Sequence, residues 1–451
     1  MDLHPGAIDH IWFPFTCSED LRRFPPPVIE RGRGMYVFDV SGKRYLDAIG
    51  SWWVSVLGHN HPRISKAVAD QLKKLEHVLM AGFIAEPTLR LSGLLAEMAP
   101  PGLGRIFYSD NGSTAVEVAL KMALQYWANK GENKTEFVAL GGGYHGDTLG
   151  AMSVGSIPSY HALFHDRFKK QHFVNSPYCY RCPCGEEKET CGAQCMDSLE
   201  AVFSQRAGSV AGCIVEPMVQ GAVGMRIYPA KVLARIAELC KHFNVLLIDD
   251  EVAMGFGRTG KLFACEHANV APDIMCVSKG LTGGYLPMAA TLTTDEIYEE
   301  FCGDFASGRE FQHGHTFTGN ALAAAAACET LNILKEENIS GSLAFKIEYF
   351  QRGLQTFGEL DCVGDVRFIG MVGAIELVNN KKTKEKLRPE KRLPFLIAQE
   401  AMNCGLLIRP LGDVLYFIPA YIITNDEIDW MFQIAKQSIE RIAYTEKPSM
   451  F

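Results

Sequence analysis

The run Val245-Leu246-Leu247-Ile248-Asp249-Asp250-Glu251-Val252 decides the fold, and Ile274-Met275-Cys276-Val277-Ser278-Lys279-Gly280 repeats its pattern. Each is a short, unbroken apolar stretch that ends in charge. Such a stretch is too short for a helix and does not alternate, so it reads as a strand buried on both faces. Working outward, similar runs recur at 105–108, 136–140 and 213–215. Segments with helical periodicity lie between them, among them 113–127 and 230–243. Apolar strands alternating with helices predict an α/β fold with a mostly parallel sheet covered on both faces. Ligands of such sheets bind beyond the carboxyl ends of the strands. The acids at 249–251 and Lys279 therefore stand where chemistry is expected.

The flanks read differently. Residues 1–60 form an irregular N-terminal segment with a hairpin, 35–40 and 44–47, around Ser41-Gly42-Lys43. Residues 61–330 make up the large domain. From 331 to 451 a helix near 339–357, strands around 366–378, a charged loop at 379–392, a strand pair at 406–409 and 415–418, and a helix from about 425 predict a smaller α+β domain. The N-terminal segment is expected to pack with it.

Composition narrows the function. A net charge of −8 disfavours nucleic acid and anionic membranes as partners. No stretch approaches the roughly 18 apolar residues of a membrane span, and the N-terminus lacks a secretory pattern. Most of the fourteen cysteines, such as Cys213, Cys240, Cys276 and Cys404, stand alone in apolar segments. That usage fits a reducing compartment and predicts a cytoplasmic protein. Cys179, Cys182, Cys184, Cys191 and Cys195 crowd one polar stretch, but their irregular spacing reads as free thiols on a solvated loop, with no metal expected.

A lysine and a carboxylate from neighbouring strand ends suit pyridoxal phosphate. The lysine condenses with the cofactor aldehyde, exchanges with the substrate amine and carries the α-proton, while the carboxylate keeps the pyridine nitrogen protonated. For either segment alone, a surface lysine or a helix-capping acid is an equal reading. Asp249 and Asp250 point to opposite faces, so only one meets the ring. In Ser109-Asp110-Asn111-Gly112-Ser113-Thr114 a glycine turn opens a helix, where Gly112 and Ser113 make a phosphate cup or Ser113 is simply an N-cap. In Gly141-Gly142-Gly143-Tyr144-His145-Gly146-Asp147 the glycines admit a flat ligand on which Tyr144 stacks, or form a flexible loop.

Taken together, Asn111-Gly112-Ser113, Gly142-Gly143-Tyr144-His145-Gly146, Asp250-Glu251-Val252, Gly255-Phe256-Gly257-Arg258-Thr259-Gly260 and Ser278-Lys279-Gly280 resemble the class III aminotransferases of fold type I. The resemblance implies Lys279, Asp250 and Tyr144 as catalytic residues, with Asp250 on the pyridine nitrogen and Val252 and Tyr144 on the two ring faces. It also implies a homodimer with shared active sites. From Gly314-His315-Thr316-Phe317-Thr318-Gly319-Asn320, Thr316 would reach the phosphate of the neighbouring subunit's cofactor and Gly314 the substrate.

Further stretches are similar to the biotin-pathway branch of that family: His10-Ile11-Trp12, Ser51-Trp52-Trp53, Gly58-His59-Asn60-His61-Pro62, 121–127, 260–267 and Ile408-Arg409-Pro410-Leu411-Gly412. That branch aminates 8-amino-7-oxononanoate to 7,8-diaminononanoate. The resemblance implies Trp52 and Trp53 in the substrate channel, Arg409 on the carboxylate, and Tyr144, Asp147 and Tyr416 on substrate or donor. A guanidinium fork reads a carboxylate bidentately while aromatic walls bury an aliphatic stem. Adjacent tryptophans are not expected to face one cavity together, and Arg258 either contacts a carboxylate or braces its glycine-rich turn. Phe15 stands where relatives using S-adenosylmethionine commonly carry tyrosine. That compound is the expected donor, with L-lysine or another ω-amino acid reaction as the alternatives.

Overall fold

The computed structural model describes residues 6–164 and 171–445. Its chain opens with an antiparallel meander, β1 (Ile29–Arg33), β2 (Tyr36–Asp39) and β3 (Arg44–Asp47). There follow β4 (Arg105–Ser109), β5 (Glu136–Leu140), β6 (His172–Val174), β7 (Val210–Val215) and a short ribbon of β8 (Val219–Gln220) and β9 (Arg226–Ile227). Then come β10 (Leu246–Asp250), β11 (Ile274–Val277) and β12 (Ala289–Thr293). The central sheet has the order β4-β12-β11-β10-β7-β5-β6. Only β12 runs against its neighbours, so the sheet is mostly parallel, as its apolar strands predict. β12 and β6 went unforeseen, because Ala289-Ala290-Thr291-Leu292-Thr293 has little apolar bulk and β6 spans only three residues.

Register brings the charged ends together. Asp250 pairs with Cys276 across β10 and β11, and Lys279 follows three residues beyond Cys276. Both therefore leave the sheet at its carboxyl edge.

The C-terminal portion forms a four-stranded antiparallel sheet. Its strands are β13 (Val363–Ile369) and β14 (Val372–Leu377), then, beyond the two-residue β15 (Leu406–Leu407), β16 (Pro410–Leu411) and β17 (Val414–Phe417). Their order is β13-β14-β17-β16. The strand expected over 406–409 is broken: β15 pairs in parallel with β3, while β16 turns back onto β17. Arg409 sits in the gap between two sheets, free of either ladder.

Residues 50–53 form one turn with left-handed backbone. Gly50, Ser51, Trp52 and Trp53 have φ of 52, 46, 66 and 77°. For each residue that carries a Cβ this conformation costs about 1–2 kcal/mol. Two buried groups hold it. Asp47 accepts the Ser51 hydroxyl at 2.7 Å and the Ile49 N–H at 3.3 Å. Arg258, 1% exposed, donates to the carbonyls of Trp53 (2.9 Å), Ser55 (3.0 Å) and Pro419 (3.0 Å), with Ile418 at 3.5 Å. Arg258 thus braces the 50–53 turn and not, as expected, its own glycine-rich one.

Replacing Arg258 by lysine keeps the charge but cannot fork across these carbonyls. Arg258→Lys is expected to lower stability by about 2–4 kcal/mol, read as an earlier midpoint in urea unfolding. An unmoved midpoint would show that the turn holds itself.

Candidate active site

The carboxyl edge of the sheet opens into a cavity of about 460 Å³ whose walls include Gly112, Ser113, Tyr144, Asp250, Val252 and Lys279. A second cavity, about 760 Å³, shares Trp53, Val54, Tyr144 and Lys279 with it and runs on to Phe15, Trp52, Asp147 and Arg409. The two are compartments of one site that meet at the lysine.

Lys279 has a left-handed φ of 41° at the sharp turn after β11. Its Nζ lies 4.5 Å from the Trp53 ring centroid. Burial pulls the ammonium down to about 8, opposed in part by Asp250 and Glu216. Asp250 is fixed on both oxygens: Oδ2 lies 2.8 Å from Nδ1 of the buried His145, and Oδ1 accepts the Val252 N–H at 3.1 Å.

The helix Gly112–Asn129 points its N-terminus into the smaller cavity. Asn111 caps it, accepting the Thr114 N–H at 3.1 Å, so Ser113 is not the N-cap and its side chain faces the cavity. A Cβ on Gly112 would lie 2.5 Å from Val252 Cγ1, and one on Gly146 would lie 2.1 Å from Ser113 Oγ. Only glycine keeps this cradle open. Free helix N–H groups beside a small hydroxyl suit a phosphate.

Tyr144 donates to Asp147 Oδ2 at 2.7 Å and stacks on His161, centroids 6.0 Å apart and planes at 13°. Burial and then Asp147 push its phenol pKa up. Its own N–H donates to Glu216 Oε2 at 3.0 Å, while Glu216 Oε1 accepts from Gly221 at 2.8 Å. Glu216 lines the smaller cavity, and burial lifts it to about 7. Sequence reading missed it, although Cys213-Ile214-Val215-Glu216 is another apolar strand that ends in an acid.

Trp52 and Trp53 line the larger cavity together, contrary to the expectation for adjacent residues. That expectation assumed ordinary backbone, and the left-handed turn removes the alternation. Arg409 lies at the far end, its guanidinium 4.7 Å from the Trp52 ring centroid and its Nη2 donating to the Phe15 carbonyl at 3.2 Å. Three expected contacts fall elsewhere. Tyr416 lines neither cavity, because β17 is buried and Trp53, whose ring it meets edge-on at 6.0 Å, takes the wall. Gly314 and Thr316 are exposed and also outside both cavities. The Thr316 carbonyl lies 2.7 Å from His77 Nε2.

No disulfide forms among the described residues. Buried Cys195 has the other four loop thiols around it, and burial pushes it up to about 12. Among the described residues, the ligand-type atoms that fall within 4.8 Å of one another belong to Asp249, Glu251 and Cys265. This cluster lies behind the sheet from Asp250. Asp249 is 0% exposed and neither of its oxygens has a partner.

These residues fit pyridoxal phosphate: a buried lysine of lowered pKa, a fixed carboxylate on the adjacent strand end, and a cradle that a Cβ would fill. A family model described as Aminotransferase class-III matches residues 19–439. The adenosylmethionine-8-amino-7-oxononanoate aminotransferase of Geobacter sulfurreducens is 44% identical over 435 residues, 96% of either chain. The enzyme of that name from Aquifex aeolicus is 42% identical over 436 residues, again 96% of each. Among solved structures, that of the Methanocaldococcus jannaschii enzyme of the same name superposes with a TM-score of 0.91 at 38% identity, covering 96% of this chain and 97% of that one. An ω-transaminase from Pseudomonas jessenii in complex with PMP reaches 0.93 at 29% identity, with 98% of each covered. The chain belongs to the class III aminotransferases and is a pyridoxal-phosphate-dependent transaminase of fold type I.

Burial and the neighbouring Asp250 and Asp273 charges raise Asp249 well above the carboxylate range. The folded protein thus keeps a proton that the unfolded chain releases, and stability falls as pH rises above about 4, by up to ~1.4 kcal/mol per unit. Asp249→Ala should therefore gain more over the wild type near pH 8.5 than near pH 5.5, read as thermal midpoints. A difference independent of pH would mean that the carboxyl is not held protonated.

Proposed function

We propose that the protein transfers an amino group to 8-amino-7-oxononanoate, forming 7,8-diaminononanoate for biotin synthesis, with S-adenosylmethionine as donor. The observation that carries this reading is the pairing of Lys279 and Arg409 across one cavity walled by Trp52 and Trp53. Amine chemistry at one end and a carboxylate reader at the other match a keto acid with an aliphatic stem between its functional groups. The names of relatives at about 40% identity support it.

Bound pyridoxal phosphate supplies an electron sink for the substrate's α-carbon. Gly112 and Ser113 would hold its phosphate, and Asp250, oriented by His145, would keep the proton on its pyridine nitrogen. Val252 and Tyr144 would confine the ring. The Lys279 amine, its pKa lowered to about 8 by burial, takes the proton from the donor carbon and returns one to the acceptor carbon. Asp147 fixes the Tyr144 hydroxyl beside the reacting groups. Trp52 and Trp53 exclude water along the stem, and Arg409 sets its register by exchanging the Phe15 carbonyl for the substrate carboxylate.

Phe15 favours a second donor. Its ring packs on Trp52 (5.8 Å) and offers no hydroxyl, which suits L-lysine as well. The working form is a homodimer in which Gly314 and Thr316 of each copy complete the site of the other. The exposed Phe317, Phe83 and Ile84 supply apolar surface for that contact. The first 60 residues act with the small domain, since β3 shares a sheet with β15. Cysteines without a disulfide among the described residues fit the cytoplasm.

The test separates the half-reactions. Cofactor-loaded protein is mixed with S-adenosylmethionine or L-lysine, freed of donor, and given 8-amino-7-oxononanoate, with the diamine read by mass spectrometry. S-adenosylmethionine should support diamine formation, and Lys279→Ala should lower it by at least roughly 10³-fold. Diamine from L-lysine alone would move the donor assignment. No diamine from either would remove the acceptor assignment and leave the family.

A further inference from the structure

One aromatic side chain of the larger cavity has no part in this mechanism. Tyr160 lies in the short helix Pro158–His161, which the buried His161 ties to the chain through the Ile157 N–H at 3.2 Å and to Tyr144 by stacking. Its ring tilts on Phe15, centroids 5.1 Å apart, and meets Tyr144 edge-on at 6.2 Å. The residue is half-buried in the cavity wall with Arg409 and Asp147 as its charged neighbours. Of its polar neighbours, Tyr144 is engaged by Asp147, Ser51 by Asp47 and Arg409 by the Phe15 carbonyl, while Ser159 and the unpartnered Trp53 indole N–H share the wall. Among the described residues the Tyr160 hydroxyl has no recorded hydrogen-bond partner.

A carboxylate presents about four lone-pair sites, and a guanidinium fork fills two. Around Arg409 the walls are Phe15, Trp52, Pro410 and Leu411, which offer carbon to the remainder. A charged oxygen buried there without a donor is destabilised. A neutral phenol supplies the missing donor without adding charge.

We propose that Tyr160 is a specificity-determining residue, its hydroxyl donating to the substrate carboxylate that Arg409 holds. Acids are thereby read by a fork and a third donor, and neutral chains of the same length lose both. The inference rests on the acceptor reading above.

The test compares two acceptors, 8-amino-7-oxononanoate and the aminoketone that lacks its carboxylate, in wild type and Tyr160→Phe. The variant should lose roughly 10- to 100-fold in kcat/KM for the acid and nothing for the aminoketone. Equal losses on both would make Tyr160 a packing residue and overturn the proposal, as would no loss on either. A wild type that aminates neither compound would overturn the acceptor reading, and this inference with it.

Discussion

The site depends on a buried cation with no carboxylate bonded to it. Arg258 is held by main-chain carbonyls from two segments far apart in sequence, 53–55 and 418–419. Partial charges on several carbonyls replace the water it has lost, though burial still lowers its pKa. Lysine, a point charge, cannot divide itself among acceptors on two sides. This fork makes the left-handed turn at 50–53 tolerable, and the turn in turn makes adjacent tryptophans neighbours on one wall. Backbone strain stored beside a substrate channel is thus balanced by hydrogen bonds behind it.

The same economy of position appears in β10. Alternation along a strand sends Asp249 and Asp250 to opposite faces, and the faces differ completely. Asp250 meets His145 and the Val252 N–H at the edge that opens into the cavity. Asp249 has no hydrogen-bond partner among the described residues, lies beside Glu251 and Cys265, and burial raises its pKa well above the carboxylate range. Two identical side chains one residue apart become an ion holder and a neutral buried acid, by environment alone.

How much was legible follows from which residues act through local pattern. Asp250, Lys279 and the Gly112–Ser113 turn announce themselves, because apolar strands ending in charge and a glycine at a helix start are local signals. Glu216 carries the same signal and was passed over for want of a partner in sequence. The Trp52–Trp53 pair breaks the strand rule because left-handed backbone in residues with a Cβ has no local cause: Arg258 steadies it from afar, 205 residues beyond Trp53 and 203 beyond Ser55. Gly314 and Thr316 line neither cavity, and no local pattern in the single chain gives them a contact there. Tyr160 has no pattern around it, and only the cavity reveals its position.

Arg409 shows why an irregularity can be the functional part. A continuous strand over 406–409 would have tied this stretch to one sheet. The chain instead changes sheets here, from β15 beside β3 to β16 beside β17, and the guanidinium projects from the junction into the cavity. One of its donors is satisfied by the neutral carbonyl of Phe15 and its plane rests on Trp52. A carboxylate taking that place turns a neutral hydrogen bond into charge-assisted ones, which are about twice as strong. A ketone or an ester taking it only exchanges one neutral acceptor for another. Under the proposed function, the preference for an acid arises from the difference between the occupant Arg409 already has and the one it gains.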